Sequence, residues 1–170
     1  TLVVVGDVDH HAVFREAART YGAVKARALP ARKPLVEPAQ RGPRSTLVKA
    51  PAELPYVAMA WRVPTLRDVK ADGDFYALQV LAAVLDGYDG ARFAKNIVRG
   101  SRVAVTAGAG YDGSARGESL FIVDGAPAEG KTVADVEAAL RAEITRIQSD
   151  GVSEDELRRV KAQAVAGQVY

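Results

Sequence analysis

Apolar positions along the chain fall into the two periods that separate strands from helices. Thr1–Val5 (TLVVV) is a continuous β-branched run ended by Gly6, the pattern of a strand buried on both faces. From His10 to Tyr21, the residues Val13, Phe14, Ala17, Ala18 and Tyr21 recur at helical spacing. Asp7 or Asp9 offers an N-cap there, and Gly22 stands where a left-handed C-terminal residue is wanted. Ser45–Lys49 and Tyr56–Val63 (YVAMAWRV) read as strands, separated by Pro51 and Pro55 and closed by Pro64. Asp74 is placed to cap a helix whose apolar face is Phe75, Leu78, Leu81, Ala82 and Leu85, ended by Asp86-Gly87. A shorter helix, Gly90–Arg99, follows it. Val103–Tyr111 and Glu118–Val123 predict an antiparallel hairpin joined through Asp112–Gly117.

Two capped helices come last. Thr132-x-x-Asp135 introduces Val133, Val136, Leu140, Ile144 and Ile147 before Gly151. Ser153-x-x-Glu156 is a full capping box ahead of Leu157, Val160 and Ala164. Strands grouped before paired helices, rather than alternating with them, give an α+β fold class: an antiparallel sheet packed against helices. Between the opening strand-helix unit and the rest lies Lys25–Arg44, which holds Pro30, Pro34, Pro38 and Pro43. Its Lys25, Arg27, Arg32, Lys33, Arg41 and Arg44 face one acid, Glu37, so this stretch reads as an extended linker. The expected layout is a strand and helix ending a preceding domain (1–24), a basic Pro-rich linker (25–44) and a second domain cut short at its C-terminal end (45–170).

Composition narrows the function classes. The 170 residues carry 23 Lys and Arg against 21 Asp and Glu, so the chain is no polyelectrolyte, and 48% hydrophobic content suffices for a globular core. The linker is basic, yet no aromatic is interleaved to stack on bases, and nucleic acid is not expected as a partner. No apolar run reaches the roughly 18–20 residues needed to span a bilayer. The absence of cysteine removes disulfides, thiolate metal sites and Cys nucleophiles together. A start without Met inside a strand and a stop at Tyr170 inside a helix read as a piece of a longer protein, any leader lying outside it.

Several constellations invite chemistry and fail on context. Gly108-Ala-Gly-Tyr-Asp-Gly113 matches G-x-G-x-x-G, but a dinucleotide site needs a helix N-terminus directly after the glycines, and here a second strand follows. Asp7, Asp9, His10 and His11 crowd a helix start, yet adjacent helical residues diverge by about 100°, and a capping Asp already explains the acids. Asp68, Asp72 and Asp74 fit a polar turn and cap. Tyr56, Met59 and Trp61 are expected to pack one side of a sheet. The two His are adjacent, so neither H-x-x-E-H nor its inverse can be written.

TLVVVGDVDHHAVFREAARTYG, the Pro-rich strap, APAELPYVAMAWRVP, DFYALQVLAAVLDGYDGARFAKNIVRG and GESLFIVDGAP together resemble the insulinase/pitrilysin family of zinc metallopeptidases, over nearly the whole chain. The resemblance implies a metallopeptidase-like domain and homologous α+β domains in succession, the "VVVGD" stretch closing one before the next begins. It implies that the zinc motif lies in an earlier, N-terminal domain, so that this segment has no catalytic or metal-binding residues and no cofactor of its own. The family's later domain supplies an Arg and a Tyr seven positions apart that hold substrate and stabilise an oxyanion. Laying that pattern on Arg92–Val105 without a gap places Val98 and Val105 at the two positions. A one-residue slip brings Arg99 onto the Arg position and Thr106 onto the Tyr position. Arg99, Arg102 and Tyr111 are therefore the candidate substrate-binding residues. The implied function is the non-catalytic C-terminal region of a zinc-dependent endopeptidase, enclosing peptide substrate. The alternative is a binding or assembly subunit without proteolytic activity. Implied partners are a peptide substrate, the zinc-bearing domain and a second homologous subunit or homodimer; Gram-negative relatives suggest a periplasmic location.

Overall fold

The computed structural model describes residues 1–31, 33 and 38–169. It divides the chain into two compact units, Thr1–Val48 and Lys49–Tyr170. Part of the expected linker, residues 32 and 34–37, lies outside the described residues, as does Tyr170. The described remainder of 25–44 is exposed and carries neither helix nor strand.

Among its described residues the first unit holds one helix, α1 (His10–Tyr21), capped by Asp9, whose carboxylate accepts the His11 N–H at 2.9 Å. Gly22 follows with φ −61°, so the expected left-handed residue is right-handed; its N–H bonds the Ala18 carbonyl and continues the helical turn. Thr1–Val5 is not a strand, and Leu2 to Val5 are exposed. Its β-branched pattern supplies the propensity, but a strand exists only where its N–H and C=O groups find a ladder. Ser45–Lys49 is likewise no strand, and for the same reason.

The second unit is α+β, as expected. Strands β1 (Val57–Val63), β2 (Ala104–Tyr111) and β3 (Ser119–Pro127) form an antiparallel sheet in the order β1-β3-β2. Central β3 sets Val123 opposite both Met59 and Ala109, and Phe121 opposite both Trp61 and Tyr111. It extends four residues past the expected end at Val123 because Gly125 permits close packing: a Cβ there would stand 2.9 Å from the Thr106 carbonyl oxygen and 2.9 Å from Val136. Helices α2 (Gly73–Asp86), α3 (Val133–Asp150) and α4 (Glu154–Val169) belong to this unit. So does a π-helix, Phe93–Ser101, where the shorter helix was expected.

Two helix starts show how local chemistry sets the boundaries. Asp74 lies in the first turn of α2 rather than capping it. Asp72 holds the N-cap position, and its carboxylate turns back to accept the N–H groups of Arg67 and Asp68 at 2.5 and 2.8 Å. Thr132 and Asp135 form a reciprocal capping box at α3. The π-helix ends where the Ile97 carbonyl accepts from both Arg102 and Val103, and Arg102 takes a left-handed φ of 52°.

The core lies between the helices and one sheet face, where Met59, Phe121 and Val123 meet Leu85, Phe93, Ile97, Val136 and Leu140. Phe93, Leu85 and Leu140 are fully buried, each worth roughly 1.5–3 kcal/mol in apolar transfer. Met59 and Trp61 point to this face. Tyr56 precedes the strand and, an odd number of residues away, belongs to the other side.

Candidate functional site

The three candidate substrate residues do not converge. Arg99, on the π-helix, donates through Nη2 to the Asp89 carbonyl. Arg102 is exposed at the end of that helix, just before β2 begins. Tyr111 ends β2; over the seven steps from Ala104 the strand covers roughly 23 Å, so its ring lies far from the two arginines. The Tyr111 hydroxyl donates to the Pro64 carbonyl at 2.5 Å, and its ring stacks near Phe121 and Phe75. Val98 is half-buried on the π-helix and Val105 is exposed.

The glycine motif is structural. Gly108 and Gly110 lie within β2, and at Gly113 a Cβ would meet the Phe75 ring at 2.2 Å. Asp9 serves as a cap, and among the described residues no group of three or more His, Cys, Asp or Glu could hold a metal ion.

A polar cleft of about 410 Å³ opens between the π-helix and the α3–α4 junction. Arg92 anchors it: Nε and Nη2 donate to the two Glu156 oxygens at 2.8 and 2.9 Å, and Nη2 also reaches the Gly151 carbonyl. Glu156 simultaneously caps α4 through the Ser153 N–H and hydroxyl. The Arg92 guanidinium, first, and the Ser153 donors hold the Glu156 carboxyl down at about 2, against the burial that opposes them. Beside it Glu143, 3% exposed, accepts from Asn96 at 3.0 Å and from Arg146 at 2.6 Å. The sequence carried one signal of this network: Glu143 follows Val136 and Leu140 at i+7 and i+3 on a face that is otherwise apolar.

On the sheet face opposite the core, Ala58, Ala60 and Gly110 are exposed beside Leu120 and Ile122. Asp124 is the acid of this face. It accepts from the Tyr56 hydroxyl, and Gly108 opposite leaves room for its carboxylate, a Cβ there standing 3.1 Å from it. Burial, then hydrogen bonding to Asp124, push the Tyr56 phenol up. At the outer edge of β2, exposed Asp86 accepts the Ala109 N–H at 3.3 Å. Burial foremost, aided by the Asp124 charge and opposed by the Ala109 N–H, pushes its carboxyl up.

The family model described as the Peptidase M16 inactive domain matches residues 1–164. Among solved structures, one titled the crystal structure of a protease from Helicobacter pylori superposes with a TM-score of 0.81 at 22% identity, covering 97% of this chain and 40% of that one. The likeness is one of fold, and the chain spans well under half of that protease's length. Comparison with curated proteins found no match.

Proposed function

The chain belongs to the peptidase M16 family and carries its inactive domain, and from that premise we propose that it is the non-catalytic region of a zinc-dependent endopeptidase, enclosing and binding peptide while a separate N-terminal domain holds the zinc. The family match over residues 1–164 is the observation that carries this reading. The sheet face that exposes Ala58, Ala60 and Gly110 beside Leu120 and Ile122 supports it, since its small residues leave room for a peptide to bury apolar side chains against the Leu and Ile. On this reading residues 1–24 end the preceding domain. Arg99 and Arg102 are the substrate contacts whose guanidinium donors suit peptide carbonyls, whereas the Tyr111 hydroxyl must leave Pro64 to take part. Valine at positions 98 and 105 fits a zinc-bearing subunit that borrows an Arg/Tyr pair from a homologous partner.

The test is zinc per chain in the parent protein, with peptide cleavage assayed before and after chelation. Stoichiometric zinc with chelator-sensitive cleavage supports the reading, and cleavage that requires a second subunit assigns the Arg/Tyr pair to that partner. A parent without zinc or cleavage, alone and with a homologous partner, replaces it with a binding or assembly subunit. Zinc-dependent cleavage by this chain alone refutes it.

A further inference from the structure

The two edges of the sheet are protected in different ways. Exposed edge amides are a template for pairing with another chain, and proteins blunt them with prolines, charges or covering elements. β1 has Pro55 before it, Pro64 directly after it and Arg62 within it. β2 reads Ala-Val-Thr-Ala-Gly-Ala-Gly-Tyr, with neither a proline nor a charge in its eight residues. Its outward residues Ala107 and Ala109 carry only a methyl group, so no bulky side chain shields the backbone there either.

In an antiparallel ladder alternate residues turn their amides to the same side. Ala109 gives its N–H to Asp86 and not to β3, so Ala107, Ala109 and Tyr111 share the outward side. The Asp86 carboxylate, brought there by the C-terminal end of α2, thus sits at the middle of the run and places a negative charge where a neighbouring strand's carbonyl would dock. We propose that Asp86 is a guard on a latent strand-pairing edge: it holds the outer edge of β2 closed, and its removal opens that edge to antiparallel pairing with β2 of a second copy of this chain. The second copy is the fitting occupant because β2 is itself short of side-chain bulk and charge, so two such strands meet without repulsion.

The guard is tested by sedimentation velocity and residue-resolved amide exchange on the full chain and on Asp86→Ala. In the unaltered chain the Ala109 amide exchanges about five- to tenfold more slowly than those of Ala107 and Tyr111 after correction for intrinsic rates, the effect of one retained hydrogen bond. Asp86→Ala forms a concentration-dependent dimer in which all three amides become protected. A variant with unchanged association, or one that associates while these amides stay fast, overturns the proposal. Should the variant fail to fold, the unaltered chain decides: an Ala109 amide as fast as its two neighbours overturns it.

Discussion

Glu143 shows at the level of one residue how a charge survives on a buried helix face. Among the described residues its carboxylate has two donors, Asn96 and Arg146, and Arg146 reaches in from a half-exposed position. Removing Arg146 leaves the carboxylate buried with a single amide, so Arg146→Ala is expected to destabilise by roughly 1–3 kcal/mol. Glu143→Leu removes the charge itself and refills the space, and is expected to cost less than about 1 kcal/mol or to stabilise. Urea unfolding of the two variants checks the order; a costlier Glu143→Leu would mean that the pair contributes net stability. Arg102 offers the opposite case, a non-glycine residue held at φ 52°. Arg102→Gly relieves that strain and is expected to stabilise by about 1 kcal/mol, visible as a thermal midpoint higher by a few degrees.

The elements were legible wherever their cause is local. The capping boxes at Thr132 and Ser153 place the starts of α3 and α4, and the apolar spacing of Leu78, Leu81 and Leu85 places α2. What stayed hidden depends on partners remote in sequence. Thr1–Val5 and Ser45–Lys49 have strand composition but no ladder here, while β1 pairs with β3 some sixty residues later through a register that no local pattern announces. The same holds for the candidate site: Arg92 meets Glu156 across 64 residues, and nothing near either residue says so. That link ties the π-helix to the start of α4 and makes the element sensitive to acid. Glu156 titrates near 4.5 when unfolded and at about 2 when folded. A depressed folded value means that its contribution is fully present above pH 4.5 and is lost as pH falls toward 2. The urea midpoint should drop across that window, and Glu156→Gln, less stable at neutral pH, should show a shallower drop. An equal slope in both proteins would remove Glu156 from the acid response.

At the scale of the whole molecule the two units differ in what holds them. The second has the buried core of Leu85, Phe93, Ile97, Val123 and Leu140, whereas α1 in the first buries no residue and exposes Phe14 and Tyr21. Stability tracks buried apolar area, so the second unit carries a core of its own. Exposed backbone without secondary structure is where proteases cut, and Lys25, Arg27, Arg41 and Arg44 all lie in such segments. Brief trypsin treatment should therefore release α1 first and leave a resistant fragment beginning between Gly42 and Lys49. That fragment should unfold in urea at the midpoint of the intact chain, because the described core, Met59 to Leu140, lies wholly within it. A midpoint that falls on cleavage, or simultaneous digestion of both units, would show that the first unit stabilises the second. A resistant band that retains Thr1–Val5 would show that this apolar run finds the ladder its composition calls for.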